Sequence, residues 1–196
     1  VAEIMQAGVQ GHQGHYGDYT SFVPLIGAGD EAAACHMTWN DQQLKNNEGM
    51  FLELAGAYAR YHCPCSRTLF LGNPPQQYLD IEKVISECIE NAISMFKPGN
   101  TCAEISDNFT ATLKKYGYEK NNRCGYPIGL SYPPDWGERT MSLRGTDQTI
   151  LQENMTFHFM PAIWFDDWGF EMTESIRVGE NGGECLSKVP RQLLVK

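Results

Sequence analysis

The stretch GMFLELAGAYARYHCPCSRTLFLG, residues 49–72, decides the fold. Its first seven residues are an apolar run interrupted by one acid, Glu53. SRTLFLG at 66–72 is a second run of strand-forming residues, ended by Asn73-Pro74-Pro75. The two runs read as a hairpin-like pair of strands joined near Gly56. Phe51, Leu52 and Leu54 surround Glu53, and an unpaired buried carboxylate is costly. Such an acid either lies on the polar face of its strand or is kept for chemistry.

Working outward, QQYLDIEKVISECIENAISMF at 76–96 places Tyr78, Ile81, Val84, Ile85, Cys88, Ile89, Ala92, Ile93 and Phe96 at helical spacing. Lys97-Pro98-Gly99 stops that helix. Thr101, with Glu104 three residues later, forms a capping box that opens a second helix through about Lys115. On the other side, residues 8–20 read as a Gly-rich loop, whose His12 and His15 are surface residues, and 21–28 as a short strand broken by Pro24. Residues 123–137 are turn-rich and aromatic. Residues 154–165 and 169–178 read as strands around the turn at Asp166-Asp167-Trp168-Gly169, and a tail follows Asn181-Gly182-Gly183. A strand pair, two helices and further strand pairs make an α+β pattern.

Composition narrows the functions. The chain has 196 residues, 42% hydrophobic and 20% charged, with a formal net charge of −9, an ordinary balance for one large domain. Lys and Arg are scattered, so no electrostatic footprint for nucleic acid exists. No apolar run approaches the roughly 20 residues of a membrane span. The N-terminus has no signal-peptide pattern. The seven cysteines lack the paired spacing of a zinc site and read as reduced thiols, so a cytoplasmic location is expected. Val1, Ile4 and Met5 sit at helical spacing without an initiator Met, which leads us to expect the C-terminal part of a longer polypeptide.

Four segments in order resemble the pita-bread fold shared by methionine aminopeptidases, prolidases and creatinases. They are HMTW at 36–39, residues 49–72, KPGNTCAEISDNF at 97–109, and the run GYPIGL, NMTFHFMPAIW and GFEMTESIRV. The resemblance implies a curved antiparallel sheet covered by helices, truncated at the N-terminus. In metal-dependent members two Asp, one His and two Glu bind two divalent ions. Those positions fall here on Glu53, Pro64, Tyr126, Met160 and Thr173, with Glu174 adjacent. Pro64 and Met160 offer no side-chain oxygen to a hard cation, so no metal and no other cofactor is expected.

Among metal-free members, LELAG at 52–56, RYHCP at 60–64, GYPIGLSYPPDWGERT at 125–140 and FDDWGFEMTES at 165–175 resemble the ectoine hydrolases. That resemblance implies a small-molecule substrate, ectoine or a related cyclic amidine, whose ring is opened by water. Glu53 is then the nucleophile. His36, at the position of the creatinase proton carrier, is a general acid/base. Tyr126, where a metal-binding His stands elsewhere, is a hydrogen-bond donor to charge on the substrate.

Glu171 and Glu174 lie three apart on a strand and point to opposite faces. Glu174 is the expected catalytic one, with Glu171 as a substrate contact. Trp39, Tyr132, Trp136 and Trp164 are candidate pocket walls suited to an amidinium. Arg67 reads as a structural partner of a nearby acid. A homodimer is expected, with no nucleic-acid or membrane partner. Competing readings are a creatinase-like amidinohydrolase, an Xaa-Pro peptidase-like protein, and a catalytically inactive binding module of the same fold.

Overall fold

The computed structural model describes residues 1–37 and 40–196. A first helix, α1, spans Ala2–Gln10, where the sequence reading placed the start of a loop from residue 8. Strand β1 spans Leu25–Ala28, β2 Glu48–Tyr58 and β3 Tyr61–Leu71. They pair antiparallel, with Glu53 opposite Leu25 on one side and Ser66 on the other. A short β10, Leu194–Val195, adds in parallel beside β3, so the expected tail closes a sheet edge.

The hairpin does not turn at Gly56, which pairs with Cys63 in mid-strand. It turns at Ala59 and Arg60, both in the left-handed region with φ of 47° and 67°. Each such residue costs roughly 1–2 kcal/mol. The turn is held from outside. The Arg60 guanidinium donates to the Ser131 carbonyl (2.8 Å), to Ser21 Oγ (2.8 Å) and to the Tyr19 carbonyl.

Helix α2 spans Gln76–Ile93 and α3 Cys102–Lys115. The apolar stripe of α2 is buried from Tyr78 to Ala92, and the Thr101–Glu104 capping box is present with both of its hydrogen bonds. These helices cover a second sheet of β4 (Gly125–Pro127), β5 (Thr156–Phe159), β8 (Glu174–Gly179) and β9 (Gly182–Cys185), in the order β4-β5-β8-β9. Phe96, Phe109, Phe157 and Phe159 interlock between helices and sheet. Fully burying a side chain of this size stabilises by about 1.5–3 kcal/mol.

The expected strand over 154–165 is split. Pro161 has no N–H to give a ladder, so β5 stops at Phe159 and β6 resumes at Ala162–Trp164, paired with β7, Gly169–Glu171. That break turns the chain under the cavity described next. No helix among the described residues is long and apolar enough to cross a membrane.

Candidate active site

Strand alternation along β3 builds the floor. Ser66 and Thr68 face one way and Arg67 the other. Ser66 Oγ donates to Glu171 Oε2 (2.8 Å), and Thr68 Oγ1 bonds both the backbone N–H and the carbonyl of Glu171. Arg67 instead takes Glu174, on the opposite side, in a buried ion pair. The expected single strand over 169–178 is broken: Glu171 ends β7 and Glu174 opens β8 in another sheet, so the two acids part by that break, and Glu171 is the one that lines the cavity. The preference for Glu174 as the catalytic acid is corrected on that geometry: the Arg67 guanidinium occupies it.

The cavity holds about 550 Å³, within the range of small-molecule sites. Glu53 and Glu171 lie in its wall, at 6% and 2% exposure. Burial, then the charge of Glu171, pushes the Glu53 carboxyl well above its ordinary range. Burial raises Glu171 to about 7, against the pull of its Ser66 hydrogen bond and Lys120. The charge of one disfavours ionisation of the other.

Lys120 faces them. Its ammonium donates to the Met160 carbonyl (2.9 Å) exposed by the strand break, and lies 4.9 Å from the Trp164 ring centre. Burial lowers its pKa to about 8. The Trp164 indole N–H is buried near Glu171 and helps lower its pKa, yet makes no hydrogen bond of normal geometry.

A polar chain runs along the next wall. Trp136 Nε1 donates to Tyr126 Oη (2.8 Å), which meets His158 Nδ1 (2.9 Å), while His158 Nε2 meets Thr173 Oγ1 (2.8 Å). His158 Nδ1 is also 3.8 Å from Glu53. Burial, with Lys120 and Arg123 nearby, drops the imidazole to about 3, so it is neutral. Burial also raises the Tyr126 phenol, which stays protonated. Only glycine fits at 137, where a Cβ would come 2.8 Å from the Tyr126 ring.

His36 lies at the cavity edge, its ring 5.7 Å from Phe22. The mouth carries Arg123, Arg139 and Arg144, with Arg123 over the Tyr126 ring at 4.5 Å.

The structure thus brings together Glu53, His36, Tyr126, Trp136, Trp164 and Glu171. It does not bring Glu174 or Tyr132. Tyr132 is 57% exposed and stacks toward Arg60 instead. Trp39 lies outside the described residues. Sequence reasoning passed over Lys120, His158, Ser66 and the three arginines, and named Thr173 only as a lost ligand position. His158 stands in the run NMTFHFM that carries the resemblance, but nothing in it singled out the His; nothing in EKNN at 119–122 marked Lys120.

The positions at which the sequence resemblance would place metal ligands carry Glu53, Pro64, Tyr126, Met160 and Thr173. Among the described residues no cluster of three or more His, Cys, Asp or Glu side chains is arranged to hold a metal ion. An ammonium stands beside the two acids. The donor set does not fit a dinuclear metal centre.

The model of metallopeptidase family M24 matches residues 1–181. The chain belongs to this family. Within and around M24, the chain is 50% identical over 202 residues to an ectoine hydrolase of Halomonas elongata, covering all of this chain and 51% of that protein. It is 25% identical to the Xaa-Pro dipeptidase of Pyrococcus furiosus, covering 89% of this chain and 49% of that one. The solved prolidase from Pyrococcus furiosus superposes with a TM-score of 0.81 at 24% identity, over 89% of this chain and 51% of that one. The pita-bread fold expected from the sequence is therefore the fold found. The chain spans about half the length of the curated relatives it matches.

Proposed function

We propose that this M24 domain is the catalytic part of a metal-independent hydrolase that opens a small cyclic amidine, with ectoine as the substrate. The observation that carries the reading is the polarity of one cavity: two acids, Glu53 and Glu171, in its buried wall and three arginines at its mouth. A zwitterion with a delocalised cation at one end and a carboxylate at the other matches that arrangement. The 50% identity to an ectoine hydrolase supports the same substrate.

The chemistry follows from the charges. An amidinium entering beside Glu53 and Glu171 favours the ionised form of both. A Glu53 oxygen then adds to the amidinium carbon. One ring C–N bond breaks as its nitrogen leaves as an amine, taking a proton from His36 at the cavity edge. Water, deprotonated by the same imidazole, attacks that carbon. The C–O bond to Glu53 breaks, releasing the N-acetyl product and the free carboxylate. Tyr126 donates a hydrogen bond to the developing charge. Trp136 and Trp164 wall the ring.

One observation favours a variant in which the acids exchange roles. Glu171, not Glu53, accepts a neutral donor, Ser66 Oγ, and a hydrogen bond to the charged form favours ionisation. Substitution separates the two. With Glu53 as nucleophile, the full-length protein turns over ectoine in the presence of a chelator, Glu53→Ala abolishes turnover, and Glu171→Gln retains a reduced rate. Full activity in Glu53→Ala, or dependence on added divalent metal, overturns the mechanism.

A further inference from the structure

His158 is fully buried on β5, opposite Tyr126 of β4 and Ser175 of β8. Both of its ring nitrogens meet hydroxyls, Tyr126 Oη at 2.9 Å and Thr173 Oγ1 at 2.8 Å. Both hydroxyl side chains line the cavity. Each oxygen also accepts a fixed N–H from behind. Trp136 Nε1 donates to Tyr126 (2.8 Å), and the Ser66 backbone donates to Thr173 (2.8 Å).

Counting hydrogens restricts the arrangement to two states. A neutral imidazole carries one donor nitrogen and one acceptor nitrogen. With the proton on Nδ1, His158 donates to Tyr126, and Thr173 must donate to Nε2. Thr173 has then spent its hydrogen, and the phenol hydrogen of Tyr126 is left over. With the proton on Nε2, His158 donates to Thr173, and Tyr126 must donate to Nδ1. The phenol hydrogen is then spent, and the Thr173 hydrogen is left over. Leaving the acceptor nitrogen of the buried ring unpaired costs about 1–3 kcal/mol, which disfavours states outside these two.

We propose that His158 is a positioning residue whose tautomer makes Tyr126 and Thr173 mutually exclusive hydrogen-bond donors to whatever occupies the cavity. Passing from one arrangement to the other moves a proton from Thr173 to Nε2 and one from Nδ1 to Tyr126, while the proton that Tyr126 gives up returns to Thr173 through the solvent of the cavity both hydroxyls line, so the net charge is unchanged. In the ring-opening reaction proposed above, on which this use of the relay rests, the donor can follow charge from one side of the substrate to the other. The relay itself requires no particular substrate.

The test reads the tautomer directly, by nitrogen NMR of the full-length protein labelled with 15N-histidine, near neutral pH and without ligand. The His158 signals are identified by their loss in His158→Gln. Tyr126→Phe removes the partner of Nδ1, so the proton is expected on Nε2, facing Thr173. Thr173→Val removes the partner of Nε2, so the proton is expected on Nδ1, facing Tyr126. Thr173→Ser, which keeps the hydroxyl, is expected to restore the parent spectrum. Should Thr173→Val not fold, Thr173→Ala makes the same deletion.

Opposite tautomers in the two deletion variants establish the relay. The same tautomer in both, or an imidazolium in the parent, overturns it. Ectoine turnover is measured separately. Absence of turnover in the parent strikes the functional reading and leaves the tautomer result standing, whereas turnover with a fixed tautomer does the reverse.

Discussion

Glu171 and Glu174 lie three residues apart, are buried to 2% and 1% exposure, and are both anchored to β3. They are the same residue in two opposite situations. Glu174 meets the Arg67 guanidinium, which also donates to the carbonyls of Ser66, Thr173, Val189 and Pro190 and so ties β3, β8 and the C-terminal segment together. Burial raises its pKa, and Arg67 pulls it back. Glu171 receives a serine hydroxyl rather than a guanidinium and faces a cavity that already contains Glu53 and Lys120. One acid closes a structural joint. The other, with Lys120 in the same cavity but no guanidinium clamped on it, stays open to a ligand cation. Burial alone does not separate structure from function; the group opposite does.

The comparison breaks most severely if Glu174 loses its partner. Arg67→Ala leaves a buried carboxylate uncompensated, and the expected destabilisation is about 3–5 kcal/mol, measured by urea denaturation. Glu174→Gln in the Arg67→Ala background is expected to recover part of that loss, because the stranded charge is then gone. Equal stability of parent and Arg67→Ala would refute a structural role for the pair.

The second test strips the charge from Glu171. Its folded pKa, about 7, lies above the ordinary 4.5 of a glutamate, so the folded state holds the proton more tightly than the unfolded state. The stability this contributes is fully present below pH 4.5 and is lost as the pH rises through 7. Glu171→Gln keeps a partner for Ser66 and has no charge to bury. Its stability relative to the parent is expected to rise between pH 5 and pH 8 by roughly 1–3 kcal/mol. His158 acts with the opposite sign, since its folded pKa of about 3 makes stability rise with pH up to 6.5. Comparing the variant with the parent at each pH removes that contribution. A pH-independent difference would place Glu171 in the same class as Glu174.

Much of this was legible in the sequence, and what was not has physical reasons. The stripe of α2 and the Thr101 capping box are local signals, and the structure keeps both. Alternation along one strand was expected to put Glu171 and Glu174 on opposite faces, whereas the break between β7 and β8 separates them. Alternation could not say which face held the cavity, because that is fixed by Ser66 and Arg67, more than 100 residues earlier. The turn at Ala59-Arg60 is likewise set by Arg60 reaching Ser21 and Ser131, against the local preference of both residues. Glu53, His36 and Tyr126 were placed through the resemblance to pita-bread proteins. Lys120 was missed because a lysine in a polar loop looks like solvent-facing charge, and only the carbonyl freed at Met160-Pro161 draws it inward.

The third test moves from the acids to the mouth of the cavity, where the mildest effect is expected. Arg123 is half-buried and lies over the Tyr126 ring, whereas Arg139 and Arg144 are exposed. A guanidinium already held against an aromatic face loses less freedom on meeting a carboxylate than one waving in solvent. Arg123→Ala is therefore expected to raise KM for ectoine about tenfold, equivalent to roughly 1.4 kcal/mol, with kcat little changed, because the lost contact holds a part of the substrate remote from the reacting carbon. Arg139→Ala, whose side chain is exposed and 3.9 Å from Asp135, is expected to change KM by less. A uniform effect across the three arginines would mean that the mouth attracts the ligand by its general field. A fall confined to kcat in Arg123→Ala would instead assign that residue to the support of Tyr126, and with it to the acid side of the cavity.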